Sequence, residues 1–125
     1  MHTTSHFDHS ANEWRIRVGE VFDVEEARAC IQRFRGFKEG RLRGLVFDLT
    51  ETRTLHTAGL GTMLYIRSCC QVSNEDAHIV YFDPQVGMIL RLANLERWFT
   101  LLPQGAALRE EKVSMHPVQA PRYAS

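Results

Sequence analysis

Long apolar runs are missing from this sequence: nowhere do apolar residues continue for the roughly 18 positions that a membrane span requires, so no direct membrane insertion is expected. A charge of one sign is missing too. Lys and Arg number 15, Asp and Glu number 15, and the formal net charge is +0, which gives no electrostatic reason to expect a nucleic acid or an anionic membrane as partner. Cysteine is scarce: Cys30, Cys69 and Cys70 make three, an odd number without CxxC spacing, as suits thiols kept reduced. Cys69 and Cys70 are adjacent in a segment that reads as helix, where their side chains diverge by about 100°, so a bridge between them would be strained. The stretch MHTTSHFDHSANE lacks the basic start and apolar core of a signal peptide, and the expected compartment is the cytoplasm. Also absent are a glycine-rich phosphate loop followed by Lys and a hydroxyl residue, a nucleophile elbow and a carboxylate pair; Asp48 lies alone in an apolar run. No catalytic residue, cofactor or enzymatic activity is expected.

What is there suits one domain: 125 residues are enough for a single core and too few for two ordinary ones. Residues 1–12 are rich in His, Ser and Thr without apolar periodicity, and residues 113–125 (VSMHPVQAPRYAS) carry two prolines and little pattern. Both read as mobile ends flanking a domain at 13–112. His2, His6 and His9 have no Cys or carboxylate at ligand spacing, so no metal is expected.

The body alternates strands and helices. WRIRV (14–18) has period two, Gly19 interrupts, and EVF continues to Phe22, which predicts a hairpin or a bent strand. Asp23 and Glu26 form a capping-box pattern, and Ala27, Cys30, Ile31 and Phe34 recur at helical spacing before Gly36. After the turn KEGRLRG comes LVFDL (45–49), a nearly continuous apolar run suited to a central strand covered on both faces. Leu60, Met63, Leu64 and Ile66 predict a helix to about Gln71, and AHIVYF (77–82) the next strand. Asp83-Pro84 supplies an N-cap acceptor and a pre-set φ for a helix whose inward stripe is Val86, Ile89, Leu90 and Ala93. A short strand, WFTLL (98–102), and a weak helix over 104–112 close the pattern. This order predicts an α/β fold: a central mixed sheet of about five strands, with helices packed on it and parallel, right-handed crossovers.

The junction between the central strand and the next helix, LVFDLTETRTLHTAGLGTML (45–64), places Thr57 beside His56 and ahead of Ala58, Gly59, Leu60 and Gly61. A hydroxyl there sits against free helix N–H groups and the positive end of the macrodipole. A phosphate on it would meet donors and would add about −1.5 to −2 charges to the surface. The plainer alternative is an ordinary Thr57 N-cap, stabilising by about 1 kcal/mol, with glycines that permit close helix–sheet packing.

From about Trp14 to Leu102 the chain resembles the STAS domain family, the anti-sigma factor antagonists of bacterial partner-switching systems. Three stretches carry the likeness. LVFDLTETRTLHTAGLGTML resembles the family's strand, Asp-Ser-Ser-Gly-Leu-Gly switch and helix; RVGEVFDVEEARACIQRF resembles its opening strands and first helix; DPQVGMILRLANLERWFTLL resembles its third helix and last strand. The resemblance implies a STAS-type single domain in which Thr57 is the phosphoacceptor of a partner serine/threonine kinase, itself usually the anti-sigma factor. In the family the unphosphorylated antagonist binds that partner and frees a sigma factor, phosphorylation releases it, and a phosphatase resets it. Gly59-Leu60-Gly61 matches the family's pattern, Ala58 stands where a second Ser is common, and His56 replaces the usual aspartate. The implied partner surface surrounds Thr57: a loop near Glu20 and Asp23, the start of the second helix, and Asp83 at the next strand end.

A second expectation shares the same motif. Some lipid-transport ATPases use a small accessory subunit of this fold whose switch often reads Thr-Ala-Gly, as here at 57–59. Oligomeric state is left open, with Trp14, Phe37 and Trp98 either in the core or in a contact patch.

Overall fold

A computed structural model describes residues 3–36 and 42–114. The turn KEGRLRG up to residue 41, Phe37, His2 and residues 115–125 lie outside the described residues. In chain order the elements are β1 (Thr4–Asp8), β2 (Glu13–Arg17), β3 (Val21–Phe22), α1 (Val24–Gly36), β4 (Gly44–Leu49), β5 (Thr54–Leu55), α2 (Thr57–Cys69), β6 (Ala77–Tyr81), α3 (Pro84–Leu92), β7 (Thr100–Pro103) and α4 (Gly105–Ser114). Single 3₁₀ turns fill Asn74–Asp76 and Leu95–Arg97.

The fold is α/β. Its main sheet has five strands in the order β1-β2-β4-β6-β7, with β1 antiparallel to β2 and every other pairing parallel, and four helices pack on it. β4 sits in the middle with Leu45 to Leu49 all buried, but it is not apolar on both faces: Leu45, Phe47 and Leu49 join the core, while Asp48, which with Val46 points the other way, pairs with Arg15 and Arg17. On its neighbours the burial alternates. Trp14 and Ile16 of β2, and Ala77, Ile79 and Tyr81 of β6, join Leu45, Phe47 and Leu49 in one core with Phe22, Cys30, Met63, Ile66, Val86, Leu90 and Phe99. Each large side chain there contributes about 1.5–3 kcal/mol by leaving water.

Several details differ from the sequence reading. Residues 1–12 show no periodicity in the sequence, yet Thr4–Asp8 is a strand paired along its whole length with β2, and Thr3 is buried against α1, its hydroxyl donating to Glu26 Oε1. The loop between β1 and β2 is shaped by Asp8, whose Oδ1 accepts from the Ser10 and Ala11 N–H groups, and by Asn12 with φ of 55°. The segment after β2 is a bend and no hairpin: β3 leaves the main sheet and pairs in parallel with β5 in a second, two-stranded sheet. α2 ends at Cys69, two residues short of Gln71. Ala93 is exposed at the end of α3, and Leu95 of the following 3₁₀ turn takes the inward position. Trp98 precedes β7 and is half exposed, whereas Trp14 is in the core. α4 runs two residues beyond 112, to Ser114.

The predicted starts of α1 and α3 are seen. Asp23 Oδ1 accepts from Glu26 N–H at 3.1 Å, and Asp83 Oδ1 accepts from Gln85 N–H at 2.9 Å with Pro84 at the first helical position. No helix among the described residues is long and apolar enough to cross a membrane.

Candidate functional site

The small second sheet builds the site. Gly19 and Glu20 follow β2, and the chain then runs beside the segment that leaves β4. Glu20 C=O accepts from Arg53 N–H at 2.8 Å and Thr54 N–H at 3.1 Å, while Phe22 C=O accepts from His56 N–H at 3.0 Å. One further bond braces the pair from beneath, from the buried Thr52 hydroxyl to Gly19 C=O at 2.9 Å. The loop before α1 and the loop before α2 are therefore stitched together, and Glu20, Asp23, His56 and Thr57 belong to one rim. Asp83 caps α3, a helix that lies against β5.

At the centre of the rim the N-cap of α2 is His56, not Thr57. His56 has the extended backbone of a cap residue, φ −92° and ψ 163°, and its C=O accepts from the Gly59 and Leu60 N–H groups at 2.9 and 3.2 Å. Its side chain makes no capping bond. Thr57 is thus the first helical residue, which corrects the N-cap alternative: its hydroxyl is not employed in closing the helix. Both His56 and Thr57 are exposed.

The residues after Thr57 divide by what they touch. Ala58 and Leu60 are half-buried and pack on the core, Gly59 is buried, and Gly61 is exposed. A Cβ on Gly59 would stand 2.8 Å from the Phe22 ring and 3.0 Å from Leu55 Cδ1, so the glycine lets α2 press onto the second sheet. A Cβ on Gly61 would meet nothing within 4 Å.

The first turn of α2 carries no acidic residue, and the carboxylates of Asp23 and Asp83 are occupied in capping their own helices. What the arrangement offers chemically is an exposed hydroxyl at a helix end whose N–H groups and dipole favour an added negative charge. Two features of the rim escaped the sequence pattern. Val21 and Val24 are exposed apolar side chains, 38% and 52% accessible, on either side of buried Phe22 and half-buried Asp23. Only the period-two alternation of Val21 and Phe22 hinted at the first.

Away from the rim, Asp48 is buried on the sheet face beneath Arg15 and Arg17, whose guanidinium groups lie 3.5 and 3.4 Å from its Oδ2. Burial pushes its carboxyl up, but bonds from the Thr50 hydroxyl and N–H, with Arg17 and Arg15, hold it below the ordinary aspartate value. Burial pushes the Cys30 thiol up to about 12, against an opposing bond from Thr3, and the Cys70 thiol up to about 11. His6 stands on β1 and the His9 ring rests edge-on against Phe7, 4.6 Å between centroids. Among the described residues no group of three or more His, Cys, Asp or Glu is placed to hold a metal ion.

Compared with protein-family models and with curated proteins, the chain matches none.

Proposed function

We propose that this chain is a STAS-type anti-sigma factor antagonist: it binds a kinase-like anti-sigma factor through the rim around Thr57 and is released when that kinase phosphorylates Thr57. The observation that carries the reading is the exposed Thr57 hydroxyl at the first position of a helix that no side chain caps. A phosphate there is favoured by the helix end, and its charge appears in the middle of a surface that also presents Glu20, Val21 and Val24. Apolar contacts seated beside a site of switchable charge are what a phosphorylation-released partner requires. In this reading the chain is a kinase substrate and binding module with no catalytic activity of its own, acting in the cytoplasm, reset by a phosphatase and needing no cofactor.

A second reading, the accessory subunit of a lipid-transport ATPase, is favoured by one feature. The Thr57-Ala58-Gly59 triplet has no carboxylate in its helical turn, so the hydroxyl can serve as an uncharged contact. Affinity capture from the native cytosol with wild type and Thr57→Glu, run beside phosphopeptide mapping of the protein from cells, separates the two. A kinase-like partner held by wild type and lost by at least tenfold in Thr57→Glu is the expected result. Equal capture by both proteins, with no phosphate on Thr57 in cells, would overturn the switch, and a transporter ATPase among the retained proteins would establish the second reading.

A further inference from the structure

The C-terminal end of α2 opens on a cleft that the rim around Thr57 does not include. Leu64, Arg67, Ser68 and Cys70 line it together with Asn74 of the first 3₁₀ turn and Trp98, and its volume is about 520 Å³. That falls within the range of small-molecule sites, roughly 300–1,000 Å³. Thr57 opens α2 and Arg67 lies in its last turn, about 15 Å further along the axis, so the cleft and the rim are separate places on one helix.

Arg67 is held there by neutral groups. Its Nε donates to Trp98 C=O at 2.8 Å, its Nη1 to Cys70 C=O at 3.4 Å and its Nη2 to Asn74 Oδ1 at 2.7 Å. Asn74 is fixed in turn: its Nδ2 donates to Arg97 C=O at 2.7 Å, and its C=O accepts from the Thr100 hydroxyl at 2.8 Å. Three of the five guanidinium N–H groups are thereby used, which leaves one on each terminal nitrogen. No carboxylate among the described residues lies within ion-pair reach of this half-buried guanidinium. Its charge is therefore oriented but not neutralised, the condition in which a bound carboxylate gains most.

The other lining groups are apolar or already engaged. Leu64 is half-buried, and Trp98 leaves its large indole half exposed, unusual for a side chain that is mostly buried in folded proteins. Burial pushes the Cys70 thiol up to about 11 against the pull of Arg67, so it stays an uncharged sulfur at neutral pH. The Ser68 hydroxyl donates back to Tyr65 C=O at 2.6 Å. We infer that this cleft binds a small aromatic carboxylate, whose carboxylate accepts from the two remaining N–H groups of Arg67 while its ring rests against Trp98 and Leu64. A neutral molecule would leave the charge of Arg67 unmatched, and an anion without a ring would leave the indole uncovered. Arg97, with its guanidinium carbon 5.9 Å from the centroid of the Trp98 ring, adds to the positive field.

Heteronuclear NMR with naphthoate and with its uncharged amide, naphthamide, tests this on wild type, Trp98→Ala and Ser68→Asp. Naphthoate is expected to shift the Trp98 indole N–H and Arg67 Nε–H signals saturably while the Trp14 signal stays in place, and naphthamide to bind at least tenfold more weakly. Trp98→Ala removes the stacking surface, and Ser68→Asp brings a carboxylate of the chain's own into the cleft. Each is expected to weaken naphthoate by roughly tenfold. Both side chains are exposed, Arg67 is held by the Trp98 carbonyl and not by its ring, and circular dichroism verifies that each variant is folded. Equal binding of acid and amide, undiminished binding by either variant, or a wild-type dissociation constant above about 5 mM overturns the inference.

Discussion

Asp48 shows how much of this protein is decided by single side chains that sequence distance hides. In the sequence it stands as a lone carboxylate in an apolar strand, but Arg15 and Arg17 reach it from more than 30 residues away because β2 and β4 pair in parallel, with Arg17 opposite Asp48. No local pattern reveals that pairing. The carboxyl is held below its ordinary value, so its contribution to stability is present above the unfolded pKa of about 3.9 and is lost as pH falls through the lower folded value. Asp48→Asn is therefore expected to be less stable than wild type at neutral pH, with the gap closing below about pH 4. Urea denaturation of both proteins across that range checks it; a gap independent of pH would mean that packing, and not charge, sets the cost. That Thr57 lies at the start of a helix is legible in the sequence, whereas its place one residue inside that helix is not. Cap preferences rank Thr well above His, which pointed to Thr57 as the cap, yet the ladder bond from His56 N–H to Phe22 C=O fixes the cap one residue earlier.

At the scale of the element, α2 answers a question its sequence left open. Gly59 and Gly61 look alike in the string TAGLG, but one faces the second sheet and the other faces water. Gly59→Ala is expected to destabilise the protein by about 1–3 kcal/mol, since the new methyl has to displace the Phe22 ring. Gly61→Ala is expected to stabilise it by about 0.8–1.0 kcal/mol, the ordinary gain in helix propensity at an uncrowded position. Guanidinium denaturation of the two variants reads both signs, and equal effects would contradict the packing described. Helices and central strands are legible in the sequence because their periodicity extends over several turns or is bounded by caps such as Asp23 and Asp83. β3 and β5, two residues each, have no period to read, and β1 places only part of its side chains against the core.

For the molecule as a whole, stability runs outward from β4. Hydrogen exchange is expected to be slowest in Leu45–Leu49 and at Ile79, which are buried and paired on both sides, and far faster in β3 and β5, whose sheet has only two strands. Exchange through β5 as slow as through β4 would show that the two sheets open as one unit. The class of fold and the order of its central elements were thus visible in the sequence, while the edges and the second sheet depended on pairings between distant segments. That second sheet has one more consequence. Because the bonds from Arg53, Thr54 and His56 to Glu20 and Phe22 hold both loops of the rim together in the folded state, a partner of the proposed kind would have less to order there. Much of the entropy of ordering that surface would then be spent during folding, and the affinity of such a partner would follow the charge and shape the rim presents.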